Sequence, residues 1–374
     1  MVHLSSCVPI QRPAVGISAI ASYRPEWVLP NEWYETGIAR KFVKHTGIRY
    51  RPISREDETM LGVRAARNLV RETGCRWEDC AALIFVSPSF VPMPVARRLM
   101  DTPAARNEQL ARAARRFSAH LGIRPRLVKG INSFCSGYAR AMSLVLSQAV
   151  PLVQPEPDEF VLVITSSRIS RITDFSCRQS GALFGDLATA TLVSRCDSVR
   201  YPVHFELLDA RYEKQPVNRP FFDFSLKQQV LRPTVDGGRT WDAERVVFSL
   251  DGMGIADAAP RAMAGAATEM VEACGMQPAD FRFLIPHQAG EGIVRLTGMK
   301  LQDAGFSGEL VNGLTRHTGN VSSGSVPHAL RRLWQRLDGD IVCPVAAVGA
   351  PGKPEVSQGC LLLRTTRWHR AAAA

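Results

Sequence analysis

The sequence predicts a layered α/β protein made of two similar halves. Two observations carry this: short, β-branched apolar runs alternate with longer stretches of helical periodicity, and the alternation restarts in the second half of the chain. Strands covered by helices on both faces read as continuous apolar runs. A scheme of this kind, stated twice, gives a pseudo-duplicated α/β/α/β/α stack of five layers.

In the first half, residues 81–87 (AALIFVS), 127–132, 160–166 (FVLVITS) and 188–194 (ATATLVS) are short, branched and bounded by turn formers, so each is expected to be a buried strand. Residues 59–73 set Leu61, Ala65, Ala66, Leu69 and Val70 at helical spacing, and residues 138–149 follow the same rule. The second half offers strands at 246–250, 281–286, 309–312, 341–348 and 359–363, an Ala- and Met-rich helix at 255–274, and a helix at 324–337. The change-over falls within 194–212, giving an N-terminal half of 1–200 and a C-terminal half of 201–374. Two segments are irregular. Residues 93–121, rich in Arg and Ala behind Pro94 and Pro103, suit a helical excursion. Residues 211–241, with Pro216, Pro220, Pro233 and the Gly237-Gly238 pair, suit a lid or tunnel wall, because long connections in compact domains are often functional.

Composition narrows the function classes. Apolar residues at 45% and charged residues at 22% exclude a disordered chain. No run approaches the roughly 18 apolar residues of a membrane span, and the first residues carry no long apolar region, so a cytoplasmic protein with no membrane role is expected. The nine cysteines are scattered, odd in number and without CxxC spacing, which argues against a disulfide framework or a metal site. The net charge of +11 suits an anionic partner. The arginines are spread along the chain and no nucleic-acid motif accompanies them, so an acidic carrier protein or a phosphate-bearing thioester is the expected partner, unless a coding bias toward Arg explains the charge alone.

Three residues are candidates for chemistry. Cys135 lies in KGINSFCSGY, where an apolar strand meets a polar turn and then an amphipathic helix. A cysteine there is either a packing residue or a nucleophile whose thiolate the helix N-terminus stabilises, with its own N–H facing a developing oxyanion. His287, in FLIPHQ, follows an apolar strand, and α/β active sites sit at strand ends; a structural histidine is the alternative. Asn320, in HTGNVSSGSVP, offers an NH₂ donor next to the conformational freedom of Gly319, or else caps a turn. Taken together they suggest acyl transfer: a thiolate accepts an acyl group, and two neutral donors hold the enolate oxygen of a decarboxylating thioester.

At this point the chain resembles the β-ketoacyl-acyl-carrier-protein synthase III family of the thiolase superfamily. TGIRYR at 46–51, FCSG at 134–137, FGDLATATL at 184–192, PHQA at 286–289 and GNVSS at 319–323 match that family's segments in order and approximate spacing. The resemblance implies a thiolase-like fold, Cys135 as acyl nucleophile, and His287 and Asn320 as the pair that promotes decarboxylation. It implies a homodimer, substrates presented as coenzyme A or carrier-protein thioesters, and no other cofactor. Where family members that take a coenzyme A primer carry Trp and Arg, this chain has Lys41 and His45, while Arg171 aligns with a nucleotide-contacting arginine. These departures point to a carrier-bound or unusual primer. The Gly triplet near the C-terminus is replaced by Gly349-Ala350-Pro351-Gly352; Ala350 aligns with the second oxyanion N–H, since Pro351 has none. Met93 aligns with a loop that reaches a partner subunit's acyl pocket.

The expected activity is therefore a decarboxylative Claisen condensation between an acyl group on Cys135 and a malonyl- or β-ketoacyl-thioester, in specialised metabolism of polyketide, fatty-acid-derived or dialkylresorcinol type. Transfer of the acyl group to an alcohol or amine is the alternative, and Asn320 favours condensation over it. A non-catalytic ketosynthase partner subunit is a third class, against which the intact Cys, His and Asn weigh.

Overall fold

The computed structural model describes residues 13–34, 36–89, 93–95, 98–100, 103–349 and 352–366. Ten strands form one continuous sheet made of two halves, each a five-stranded sheet of the same plan. The first runs, edge to centre, Leu127–Ile131, Cys80–Val86, Phe160–Ser167, Leu187–Arg195 and Val15–Tyr23. The second runs Glu309–Leu310, Phe281–Leu284, Asp340–Val348, Glu355–Thr365 and Phe205–Pro216. In both, the first three strands are parallel and the next two pairings antiparallel. The sheets touch where Gly16 and Ile17 pair with Glu206 and Phe205. An added Cβ on Gly16 would lie 2.3 Å from the Phe205 carbonyl oxygen, so only glycine allows this contact.

Five layers follow from which faces are apolar. Helices Glu58–Thr73 and Pro103–Leu121 cover the outer face of the first sheet, burying Leu61, Leu69 and Phe117 against Leu83, Phe85 and Leu162. Asp57 caps the first of these by accepting from the Met60 N–H at 2.9 Å, and Gly74 ends it at φ 69°. Between the sheets lie Gly137–Leu144 and Ser325–Arg332, whose Tyr138, Met142, Val326 and Leu330 pack with Ile84, Val163, Ile341 and Leu361 from both sheets. Helices Gly252–Ala273 and Glu291–Asp303 cover the far face, closing Met270 and Leu301 over Leu284, Val342 and Leu362. The expected α/β/α/β/α order is the observed one.

Differences from expectation are local. The middle helix that begins at Gly137 passes through a π-helical stretch at Val145–Ala149 and stops at Gln154, φ 46°. The last helix ends at Arg332, short of residue 337. Strands Val15–Tyr23 and Phe205–Pro216 carry too many small or charged residues to read as apolar runs, yet they are the central pair. The excursion after residue 93 is a small hairpin, Met93–Val95 with Arg98–Met100, followed by the helix Pro103–Leu121. Residues 211–241 are mostly extended: Phe222–Lys227 pairs with Arg245–Leu250, and Val230–Pro233 with Arg239–Asp242.

Candidate active site

The duplicated plan builds the same turn twice. After the strand Leu127–Ile131, the Asn132 side chain accepts from the Phe134 N–H at 3.0 Å, Phe134 adopts φ 46°, and a 3₁₀ turn containing Cys135 leads into the helix at Gly137. In the second half the Asn320 side chain accepts from the Ser322 N–H at 2.9 Å, Ser322 adopts φ 51°, and a 3₁₀ turn leads into the helix at Ser325. A left-handed backbone at a residue other than glycine costs on the order of 1 kcal/mol or more and persists only where its surroundings enforce it. The two turns meet: a Cβ on Gly137 would fall 2.6 Å from a Val86 methyl and 3.1 Å from the Ser323 Cβ.

Asn320 is held from both sides by the FGD segment. Its N–H donates to the Leu183 carbonyl at 2.9 Å, and the Gly185 N–H donates to its carbonyl at 3.1 Å. Asp186 anchors that segment, accepting from the Ser54 N–H at 2.7 Å, the Ser170 N–H at 2.9 Å and the Ser170 hydroxyl at 2.6 Å. Burial pushes its carboxyl up against the pull of these bonds. The TGIR segment is scaffold as well. Buried Arg51 donates to Asn31 at 2.7 Å and to the Gly181 carbonyl, and burial lowers its guanidinium to about 10.

His287 lies just past the strand Phe281–Leu284, its N–H donating to the Pro344 carbonyl at 2.9 Å. Its Nδ1 lies 2.6 Å from the Ser325 hydroxyl, which also accepts from the Gln288 N–H at 3.2 Å. Its Nε2 is buried and has no hydrogen-bond partner among the described residues. Burial lowers the imidazole to about 4, so it is neutral at physiological pH. With the Ser325 hydroxyl proton on Nδ1, Nε2 carries the ring proton and is the free donor.

Cys135, His287, Asn320 and Ser322 all line one apolar cavity that is partly open to solvent. Phe134, Phe222 and Phe248 form part of its wall, which gives the segment after residue 211 the wall position expected of it. The Ser322 hydroxyl donates to the Cys135 sulfur at 3.7 Å. The thiol differs from expectation: burial pushes it up to about 11, against the lowering effect of hydrogen bonds from Ser322 and Asn320. Enclosure by apolar side chains outweighs the helix N-terminus, so the resting group is a thiol.

Lys41, His45 and Arg171 are not among the residues that line this cavity. Lys41 and His45 are exposed on the helix Thr36–Thr46. Arg171 is half-buried and pairs with the buried Glu58 carboxylate at 3.1 and 3.2 Å. Ala350 and the side chain of Met93 lie outside the described residues. Sequence reasoning missed Ser322 and Ser325, although both sit in the quoted SSGS run and a hydroxyl near a catalytic-type Asn was the available signal.

A family model for 3-oxoacyl-[acyl-carrier-protein] synthase III matches residues 130–209, the stretch that contains FCSG and FGD. A β-ketoacyl-[acyl-carrier-protein] synthase III of Chlorobium luteolum is 27% identical over 327 residues, covering 85% of this chain and 90% of that relative. Over most of its length the chain is thus similar to ketoacyl synthases III. Its fold is that of the Pseudomonas aeruginosa 3-oxoacyl-(acyl carrier protein) synthase III, with TM-score 0.67 at 21% identity, covering 95% of this chain and 99% of the other. A tetronic acid condensing enzyme superposes with the same TM-score, 0.67, at 18% identity over 94% of this chain and 99% of that one. The chain thus has the thiolase-type five-layer fold, with residues of both halves lining its cavity.

Proposed function

We propose that this protein is a condensing acyltransferase that loads an acyl group onto Cys135 and joins it to a malonyl-type thioester. One observation carries the reading: Cys135, His287 and Asn320, from three separate segments, border a single apolar cavity, with the His287 Nε2 unpartnered among the described residues. In the loading step the Cys135 sulfur attacks the donor thioester carbonyl. A carbon–sulfur bond forms to Cys135, the donor's carbon–sulfur bond breaks, and the thiol proton ends on the departing thiol. The Cys135 N–H is one oxyanion donor, and the Ala350 N–H is the second we assign by alignment.

In the second step the malonyl carboxylate leaves as carbon dioxide, and its electron pair forms an enolate whose oxygen takes hydrogen bonds from His287 Nε2 and Asn320 Nδ2. The enolate carbon attacks the acyl carbonyl, the bond to Cys135 breaks, and the sulfur regains a proton from solvent. A neutral imidazole suits this role, since it donates without drawing the extender's carboxylate into an ion pair. Lys41 and His45 are exposed and Arg171 is engaged by Glu58, which supports a carrier-borne primer over a coenzyme A clamp and a place in specialised metabolism. The outermost strand of the first sheet, Leu127–Ile131, is only half-buried along most of its length, which suits pairing with a second copy in a homodimer.

The test is carbon dioxide release and product formation from an acyl thioester plus a malonyl thioester. Wild-type protein releases one carbon dioxide per condensed product, and Asn320→Ala stays acylated on Cys135 but loses at least about 100-fold in condensation. Equal product from Asn320→Ala, or transfer of the acyl group to an added alcohol or amine without carbon dioxide release, overturns it.

A further inference from the structure

The cavity beside Cys135 is lined mostly by apolar side chains. Its lining divides between two separate clusters. One holds Ile169, Ile172, Phe184, Phe222 and Phe248, with Phe134 packed against it, and so adjoins Cys135. The other holds Phe221, Ala259, Met263, Ala346 and Val356, with Ile255 and Ile293 packed against it. Ala289 and Ile293 bring this second wall to His287. Phe221 immediately precedes the strand Phe222–Lys227. Each ring packs in a different cluster, yet both line the same cavity. Val348 packs against both clusters.

The second lobe is shaped by small residues. Ala258 and Ala259 line it from the helix Gly252–Ala273, just before Pro260, and Ala346 lines it from the strand Asp340–Val348. Gly254 lets the Phe221 ring lie flat against the helix start, since a Cβ there would come within 2.7 Å of the ring. Among the described residues that line the cavity, the polar side chains are Cys135, His287, Asn320 and Ser322, and none is charged. An occupant away from those four must be apolar, because a polar substituent would lose its hydrogen bonds to water without replacement. A plain malonyl unit has no apolar part to place beside His287.

We infer that the extender is a malonyl-type thioester carrying an apolar alkyl chain at C2, that this chain occupies the lobe beside Ala259, and that the chain on Cys135 occupies the lobe beside Ile172. The product is then a 2-alkyl-3-oxoacyl thioester, formed with loss of carbon dioxide by the bond changes described above. Ala259 and Ile172 set the two chain specificities separately. The inference rests on the condensing activity proposed for Cys135.

The experiment measures two ratios of kcat/KM: 2-hexylmalonyl over malonyl thioester as extender, and octanoyl over acetyl thioester as donor. Wild-type protein gives an extender ratio above one. Ala259→Phe lowers the extender ratio at least tenfold and moves the donor ratio less than threefold, and Ile172→Phe does the reverse. Where Ala259→Phe fails to fold, Ala346→Leu, on the facing strand of the same lobe, takes its place with the same expectation. Wild-type protein that becomes acylated on Cys135 and condenses malonyl but not 2-hexylmalonyl thioester overturns the two-chain inference alone, as does a variant pair in which both ratios fall together. Wild-type protein that takes no acyl group on Cys135 overturns the proposed function and this inference with it.

Discussion

Two uncharged groups face the reaction at physiological pH: a thiol held at about 11 and an imidazole held at about 4, each displaced chiefly by burial. In the proposed reaction the thiol is therefore activated during acyl transfer and not beforehand. Its alkylation by a small haloacetamide is expected to rise about tenfold per pH unit between about pH 7 and pH 9, following the thiolate fraction, with no plateau. A plateau beginning below about pH 8 contradicts the burial effect. In the proposed reaction Ser325 is a positioning residue, since its hydroxyl lies 2.6 Å from His287 Nδ1 and leaves Nε2 to face the cavity. Ser325→Ala is expected to lower condensation by roughly tenfold while Cys135 acylation stays within about twofold, with Ser325→Thr recovering most of the loss. A fall in acylation equal to the fall in condensation would place Ser325 in folding instead.

At the scale of elements, the account rests on two copies of one turn, each an Asn side chain closing on the N–H two residues later. The FGD segment is what keeps the second copy in place. Gly185→Ala sets a Cβ 2.1 Å from the Thr318 carbonyl oxygen, against backbone that has no slack. A loss of about 1–3 kcal/mol in unfolding free energy is expected, with condensation falling further than acylation because Asn320 moves. Unchanged denaturant midpoint and product rate would show that the segment is tolerant. The strands and helices that were legible in the sequence are those with continuous apolar or helical periodicity, such as Cys80–Val86 and Glu58–Thr73. Val15–Tyr23 and Phe205–Pro216 were not, because their place at the centre comes from pairing with distant strands and not from their own hydrophobicity.

For the whole molecule, burial couples protonation to folding. His287 and His328 are both lowered to about 4, mainly by burial, while an unfolded histidine titrates near 6.5. The unfolded chain thus binds more protons between about pH 6.5 and pH 4, so this stabilisation is complete above that window and is lost as pH falls through it. Melting temperature is expected to drop steadily from about pH 7 to pH 5, and a flat profile would contradict the burial of both rings. Light scattering is expected to give a homodimer, and a stable monomer would remove the role assigned to the edge strand Leu127–Ile131. The family segments fixed the order of the site residues in the sequence. The shape of the cavity was not legible there, because Phe221, Ala259 and Ile172 come together only through long-range packing. The central claim, that the Cys135 sulfur carries the acyl group, is tested most directly by intact-protein mass spectrometry after incubation with an acyl thioester. The account predicts the mass of one acyl group on the wild-type chain, mapped to the peptide containing Cys135, and none on Cys135→Ala; equal acylation of Cys135→Ala would contradict it.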